Sequence, residues 1–353
     1  FTDGEGQQDF AEESAAEEKP DSDAADSQEI HLSLKLIAED VGADNQREKL
    51  TLVVADELSD KLKVNKDNNT IEVTDREGLI LLSNVKPEEY KDSIIKLITT
   101  TGWDLTSQVM LNEISYSFQG LGSEIYPYAG RLELDASTAA KQYSITTTKP
   151  LFQAISTKAT LSGTIPFSIS ETAPSTKKPL LADALIAADD RETILRANIV
   201  LRDLNSGQIS DAAIGGLIGT MKAGTIANIT FENQFTKDLK VSGESHTGLF
   251  CNTMEQNTSL TAEFKNTSTG KINVEAASSA ADAGGFVGHM ETDASLTAAG
   301  NSVTQVSSAF GNAGGLVGSA TDGSIRIKTG DTLTFADTLT LKSASNKSAG
   351  GLI

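Results

Sequence analysis

Ala283-Gly284-Gly285-Phe286-Val287-Gly288 is the clearest copy of a short motif that recurs from residue 149 onward in this 353-residue chain. The further copies are 214–219 (IGGLIG), 247–251 (TGLFC), 313–318 (AGGLVG) and 349–353 (AGGLI), with two degenerate copies at 149–154 (KPLFQA) and 178–183 (KPLLAD). Their first large apolar residues are Leu151, Leu180, Leu217, Leu249, Phe286, Leu316 and Leu352, spaced by 29 to 37 residues. A motif that returns at such a period is typical of a solenoid, in which each repeat forms one coil.

A second, shorter motif follows most copies of the first. It places one apolar residue between polar or small ones, at Thr160-Leu161-Ser162, Thr225-Ile226-Ala227, Ser259-Leu260-Thr261, Ser295-Leu296-Thr297 and Ser324-Ile325-Arg326. Alternation of this kind is the pattern of a strand with one buried face. Gly, Ser, Asn and Asp clusters between the motifs supply the turns.

Each coil therefore holds two or three short strands, and no coil can bury its apolar face alone. Parallel stacking of the coils is expected to place Leu217, Leu249, Phe286, Leu316 and Leu352 above one another in the interior. Burial of each such side chain contributes about 1.5–3 kcal/mol. The predicted fold is all-β, a right-handed parallel β-helix.

The motif Gly314-Gly315-Leu316-Val317-Gly318 resembles the GLUG-type repeat of large bacterial cell-surface proteins. Upstream, 75–84 with 90–97 is similar to the capping helix and first strand of such solenoids, and 118–132 to their first coil. The resemblance covers about 75–353. It implies a β-helix with a short N-terminal helical cap, and an adhesin-like function at the bacterial surface.

The chain divides into three predicted parts. Residues 1–29 carry eleven acids and one base, so their charge of 1 − 11 = −10 is half of the chain's −20, and they form a disordered acidic segment. This segment is read as a linker, with an interaction tail as the alternative. Residues 30–74 form a small strand-rich N-terminal unit, and 75–353 form the β-helix with its repeats. Because the last motif copy breaks off at Ile353, we expect the solenoid to be truncated at its C-terminal end.

Two local assignments accompany this division. Asp75 is expected to cap a short helix that ends near Asn84. Residues 182–199 (ADALIAADDRETILRANI) have helical composition, and either a helix or a strand with a charged turn fits them.

Residues with catalytic chemistry are few. Cys251 is the only cysteine, which excludes a disulfide framework, and it is interpreted as a small buried residue at the place held by Gly219 and Gly288 rather than as a nucleophile. The histidines His31, His246 and His289 lack metal-ligand spacing and are interpreted as solvated turn residues.

Other candidates are equally unspecific. Glu255, Asp293 and Asp322 recur at one turn, where a weak Ca²⁺ site is the alternative to a solvated acidic turn. Trp103 is expected to be buried near the N-terminal cap. We therefore predict no catalytic, cofactor-binding or metal-binding residues and no cofactor, and the binding residues stay unknown.

Charge and composition limit the partners. A net charge of −20 argues against nucleic acid and against anionic membranes. No apolar run approaches the roughly 18 residues of a membrane span, so no membrane insertion is expected in this segment.

The predicted function is that of a non-enzymatic bacterial surface or secreted protein, extracellular and adhesin-like. It would recognise a host protein or glycoprotein through the outer face or loops of the β-helix. A sharper version has antibody variable domains as the partner, bound in the manner of a superantigen (an immunoglobulin-binding role). The alternatives are a polysaccharide lyase or glycosidase on the β-helix face, and a structural stalk.

Overall fold

The chain forms an all-β solenoid of about 7 turns. A computed structural model describes residues 32–37, 49–54, 61–98, 102–111, 113–134, 144–169, 175–189, 192–202, 212–335 and 339–352. The predicted acidic segment 1–29 and His31 lie outside the described residues.

The described residues up to 146 form ten short strands, one α-helix and one 3-10 turn. In chain order the elements are β1 (Leu32–Ile37), β2 (Lys49–Val54), β3 (Leu62–Asn65), β4 (Thr70–Val73), α1 (Arg76–Leu82), a 3-10 turn (Pro87–Glu89), β5 (Ile94–Leu97), β6 (Trp103–Asp104), β7 (Val109–Leu111), β8 (Ile114–Tyr116), β9 (Arg131–Leu134) and β10 (Ile145–Thr146).

From residue 150 onward all described elements are strands. They are β11 (Phe152–Ser156), β12 (Thr160–Ser162), β13 (Thr164–Ser168), β14 (Ala182–Ile186), β15 (Leu195–Arg202), β16 (Ala212–Ile214), β17 (Ile218–Met221), β18 (Ile226–Asn233), β19 (Leu239–Val241), β20 (Thr247–Gly248), β21 (Cys251–Met254), β22 (Ser259–Asn266), β23 (Ile272–Ala276), β24 (Ala283–Gly284), β25 (Val287–Met290), β26 (Ser295–Asn301), β27 (Gln305–Ser308), β28 (Ala313–Gly314), β29 (Val317–Ala320), β30 (Ser324–Ile327), β31 (Leu333–Thr334), β32 (Thr340–Lys342) and β33 (Ala349–Gly350).

Successive coils pair in parallel, and each coil contributes one strand to each of several sheets. The largest, which we call the long sheet, has nine strands in the order β30-β26-β22-β18-β15-β13-β10-β6, with β31 also pairing with β26. A six-stranded sheet runs β11-β14-β17-β21-β25-β29, and a five-stranded sheet runs β16-β19-β23-β27-β32. A four-stranded sheet, β20-β24-β28-β33, forms the corner between those two.

The strands of the N-terminal part join the same system. A five-stranded sheet has the order β12-β9-β5-β4-β3, with β3 and β4 antiparallel and the other neighbours parallel. The hairpin β3–β4 thus continues a solenoid sheet, while β1 and β2 pair only with each other among the described strands. The division of the chain at residue 74 stays a prediction.

Helix α1 matches the predicted position. Asp75 caps it, since its side chain accepts a hydrogen bond from the Gly78 N–H at 2.8 Å. Gly78 is needed there, because a Cβ would lie 2.4 Å from the main-chain oxygen of Lys61. The helix therefore packs closely on the turn that precedes β3.

The interior is formed by the recurring motif, as predicted. Leu151, Leu217, Phe286 and Leu316 are completely buried. Leu352, which lies on the last described coil, is the exception at 50 % exposed. The expectation of a continuous internal row therefore holds up to the last coil.

The strand register corrects that row by one residue at Leu249, and corrects the alignment of the motif copies by one residue at Leu180. Ile218 is paired with Cys251, and Cys251 with Val287, so Phe250 rather than Leu249 is the neighbour of Leu217 and Phe286. In the same way β14 places Leu181, not Leu180, beside Leu217. In both copies a leucine replaces the second glycine of the motif, and an alignment on the first large apolar residue therefore starts one position early.

The second motif requires a similar correction. Ala227, Leu260, Leu296 and Ile325 form one inward row, so Ile226 lies on the outward side beside Ser259. Leu161 belongs to another sheet, where it pairs with Leu132 of β9. The prediction that these triplets lie in strands is confirmed, but the middle residue of a triplet is not always the one that points inward.

Of the two alternatives for residues 182–199, the structure shows strands and not a helix. β14 and β15 occupy both ends of this stretch, and β15 forms the centre of the long sheet. In β15 the buried residues alternate with exposed ones over Leu195–Ile199, which is the period of a strand and not of a helix. The helical composition is overridden by pairing with β13 and β18.

Candidate functional site

Two features of the described residues have the character of a site. The first is the outward face of the long sheet, and the second is a cluster of His, Asp and Ser side chains at the corner sheet.

The outward face of the long sheet carries mostly polar residues, which are aligned in rows across its strands. Its four central strands β15, β18, β22 and β26 hold 8, 8, 8 and 7 residues. Their pairing sets outward side chains in register, and one row, which we call the polar row, crosses five strands at Arg196, Asn228, Thr261, Thr297 and Arg326. The face offers hydrogen-bond donors and acceptors at the regular strand spacing of about 4.8 Å.

Charges of both signs flank the polar row. Glu263 lies 3.1 Å from Lys265 Nζ and 3.9 Å from Lys328 Nζ. These side chains are partly exposed, so the ion pairs stabilise the fold little but give the surface an alternating charge pattern.

The second feature is a cluster formed by His246, Asp282, His289 and Ser319, which we call the corner cluster. His246 lies just before β20 and Asp282 just before β24, so the two residues occupy the same position in successive coils. His289 of β25 is paired with Ser319 of β29 in the neighbouring sheet. Three consecutive coils thus contribute side chains to one corner.

Glycines make this close approach feasible. A Cβ on Gly288 would lie 2.5 Å from the Thr247 N and 2.9 Å from the His246 main-chain carbon. A Cβ on Gly311 would lie 2.2 Å from the Ala281 oxygen. Without side chains at these positions, the turns that carry His246 and Asp282 pack directly on the next coil.

Hydrogen bonds connect the corner cluster. Nδ1 of His246 accepts a hydrogen bond from the Asp282 N–H at 3.0 Å, and the imidazole rings of His246 and His289 stack with centroids 4.8 Å apart. The Ser319 hydroxyl donates to Asp282 Oδ2 at 2.5 Å and lies 2.7 Å from His289 Nδ1. Because that hydroxyl has one proton, its oxygen accepts from His289 Nδ1–H.

Burial keeps His246 neutral. The side chain of Asp282 is 12 % exposed and that of His246 28 %. Burial, followed by the proximity of His289, lowers the pKa of the His246 imidazole below its ordinary value, while Asp282 acts in the opposite direction. His246 is therefore an uncharged imidazole at neutral pH.

The corner cluster contains the residue types of a hydrolytic triad but not its connectivity. In a triad the histidine accepts the serine proton while the carboxylate holds the other ring nitrogen. Here the Ser319 hydroxyl donates its hydrogen bond to Asp282, and the His289 ring donates to Ser319. In this arrangement the serine hydroxyl does not donate to a histidine, as it does in a triad. Two imidazoles beside a carboxylate are instead a ligand set for a divalent cation.

The sequence had identified His246 and His289 as separate, solvated turn residues, and the structure differs. Both rings are half-buried and in contact, and together with Asp282 they form the one group of potential metal ligands found within the described ranges. Asp282 and Ser319 were not identified from the sequence. The signal was available, since His246 and Asp282 each lie two residues before the motif glycines Gly248 and Gly284.

Glu255, Asp293 and Asp322, for which a Ca²⁺ site was the alternative, make contacts within and between turns. A carboxylate oxygen of Glu255 accepts a hydrogen bond from the Ala223 N–H at 3.1 Å, and the other lies 3.1 Å from Lys222 Nζ. Asp293 has a φ of 57° and its N–H donates to the Asp322 main-chain oxygen. The preferred interpretation as turn residues agrees with these contacts.

Cys251 and Trp103 are both buried, as predicted. Burial raises the pKa of the Cys251 thiol to about 12, so the thiolate is not formed at neutral pH. One detail was wrong, because Cys251 is paired with Ile218 and Val287, and Asn252 occupies the glycine position instead.

Comparison with known proteins yields no match to any family model, curated protein or solved structure. The resemblance to GLUG-type repeats stays a prediction. Within the described residues, no helix is both long and apolar enough to cross a membrane.

Proposed function

We propose that the protein is a non-enzymatic, adhesin-like binding protein of the bacterial surface, or a secreted one, that recognises a host macromolecule through the outward face of the long sheet. The observation that carries the proposal is the polar row, which crosses five strands in register. The four central strands of this face each pair with a neighbour on both sides, which makes the face rigid, and it presents polar groups at fixed spacing. The proposal includes GLUG-type repeats, a right-handed winding and closure of the N-terminal end by α1.

The size of the face suits a protein partner. Four strands of seven or eight residues, about 25 Å long and about 4.8 Å apart, cover roughly 500 Å². A standard protein–protein interface takes about 800 Å² from each partner, so the face with its flanking turns is of the right order. Antibody variable domains, which are themselves stacks of strands with polar faces, are the partner we propose to test first.

The test is biolayer interferometry of the full chain against pooled host Fab, with mucin glycoprotein as the parallel analyte. Saturable Fab binding that survives deglycosylation supports an immunoglobulin-binding protein of the superantigen type. Binding to glycosylated mucin alone supports a glycan-directed adhesin. If neither analyte binds, the binding proposal fails, and the lyase and stalk alternatives remain.

Site-directed variants locate the interface. Thr261→Arg together with Thr297→Arg places two bulky side chains in the polar row, and we expect at least a ten-fold loss of affinity. Asn273→Arg together with Gln305→Arg is the matched control, since it adds the same two side chains at paired outward positions of another sheet. Equal binding by all three chains would exclude the long sheet as the interface.

A further inference from the structure

The corner cluster combines two imidazoles and a carboxylate in a half-buried corner that the proposed binding face does not use. One donor atom from each of His246, Asp282 and His289 lies within 4.8 Å of the others. We propose that these three residues bind a divalent transition-metal cation of the Zn²⁺ class, and that the cation ties consecutive coils together at this corner.

The distances suit such an ion after a small closure. His246 Nδ1 and Asp282 Oδ2 are 3.6 Å apart. Ligand atoms in a tetrahedral zinc site with bonds near 2.1 Å lie about 3.4 Å from one another. The His246–Asp282 pair is therefore already near ligand spacing, and the donor atom of His289 has to approach by up to about 1.4 Å, since all three atoms lie within 4.8 Å of one another.

The hydrogen bonds identify the donor atoms. Nδ1 of His246 is unprotonated, because it accepts a hydrogen bond from the Asp282 N–H, and a cation bound there requires that hydrogen bond to open. Nδ1 of His289 faces Ser319 Oγ, which in turn donates to Asp282 Oδ2. A bound cation would replace the hydrogen bond that His246 accepts from the Asp282 N–H and the one that Ser319 donates to Asp282. The His289 proton would then have to lie on Nε2 for Nδ1 to act as a ligand.

The carboxylate is held in position by a group outside the ligand set. Asp282 Oδ1 accepts a hydrogen bond from the Asn312 N–H at 2.6 Å, which leaves Oδ2 directed toward the histidines. Oriented ligands of this kind raise metal affinity, because less freedom is lost on binding.

The donor set selects the class of metal. Two nitrogens and one carboxylate oxygen suit Zn²⁺, Co²⁺, Ni²⁺ and Cu²⁺, whereas Ca²⁺ and Mg²⁺ prefer six or more oxygen ligands. Three protein ligands leave at least one position of the ion for water or for a group of another molecule.

Titration calorimetry of the full chain, freed of metal with EDTA and dialysed, tests the proposal with ZnCl₂ as the ligand. We expect one Zn²⁺ ion to bind tightly to each chain. His289→Ala and Asp282→Asn should each lower the affinity for this ion at least a hundred-fold. Asp293→Asn is the matched control, because it makes the same change as Asp282→Asn at a described turn residue outside the ligand set. The control should retain the parent affinity.

A parent chain without a tight equivalent would overturn the proposal, as would a His289→Ala chain that binds like the parent. A spectroscopic measurement on the unaltered chain tests the proposal even if a variant fails to fold. CoCl₂ added to the unaltered chain should give the intense visible bands of four- or five-coordinate, nitrogen-ligated Co²⁺, and ZnCl₂ should displace them. The weak spectrum of the hydrated ion alone would also overturn the proposal.

Discussion

Nδ2 of Asn252 donates a hydrogen bond to the main-chain oxygen of Gly215 at 3.1 Å, and so connects two successive coils through a buried side chain. Its Oδ1 accepts from the Gly248 N–H at 3.1 Å in the same coil. The neighbouring coils carry Gly219 and Gly288 at this position. One coil therefore replaces a glycine with an amide that satisfies two main-chain groups.

Asn252→Ala should destabilise the solenoid by about 2–4 kcal/mol, because a buried carbonyl and a buried N–H each lose their partner. The measurement is urea unfolding followed by circular dichroism. Asn228→Ala is the control. Asn228 points outward from β18, and its replacement should change the free energy of unfolding by less than about 0.5 kcal/mol. Equal effects of the two substitutions would contradict the bridging role of Asn252.

Phe264→Ala tests the aromatic core of the central coils. The ring of Phe264 stacks on Phe231 at 5.7 Å and meets Phe250 and Phe286 edge-on at 6.5 and 6.4 Å. Its removal leaves a cavity among the three remaining rings, and we expect a loss of about 3–5 kcal/mol in the free energy of unfolding.

The control for this substitution lies on the same strand. Thr261→Ala alters an outward residue of β22 and should be nearly neutral. If Phe264→Ala unfolds at the urea concentration of the parent chain, the four rings do not form a packed core.

The thiol of Cys251 should be unreactive in the folded protein. Its pKa of about 12 leaves almost no thiolate at pH 8, and the residue is completely buried. Labelling with a disulfide reagent should therefore proceed at the rate of unfolding, and should become immediate in denaturant. Rapid stoichiometric labelling under native conditions would show that the six-stranded sheet opens at β21.

Much of the fold was predictable because the motif is repeated. Leu217, Phe286 and Leu316 recur at similar intervals, and only a stack of coils buries all of them. The strand register between successive coils was harder to predict. Leu249 and Leu180 are as apolar as their neighbours, so the sequence alone does not show that Phe250 and Leu181 occupy the internal row.

The corner cluster was harder to predict for a different reason. The short sequence spacings that identify metal ligands apply to residues on the same turn or the same helix. In a solenoid the neighbours are one coil apart, so His246 approaches Asp282 across 36 residues, and Asp282 approaches Ser319 across 37. Comparison of equivalent positions in successive repeats would bring these residues together. That comparison depends on the register, which the sequence left uncertain.

The last prediction concerns alkaline pH and the two buried tyrosines. Tyr90 Oη accepts from the Gly122 N–H at 3.0 Å, and Tyr128 Oη donates to the Ser93 oxygen at 2.9 Å. Burial raises the pKa of Tyr90 to about 12 and raises that of Tyr128 as well. In the unfolded chain both phenols ionise near pH 10.

The folded state therefore holds these protons more tightly than the unfolded state. The resulting stability is complete below pH 10 and is lost as the pH rises toward 12, by about 2–3 kcal/mol for Tyr90. Urea unfolding between pH 9 and 12 measures this slope, and Tyr90→Phe should make it shallower. Lysines also titrate in this range, but they contribute equally to the slope in both chains, so their contribution cancels when the two slopes are subtracted. An identical slope in both chains would show that Tyr90 ionises in the folded protein as readily as in the unfolded one.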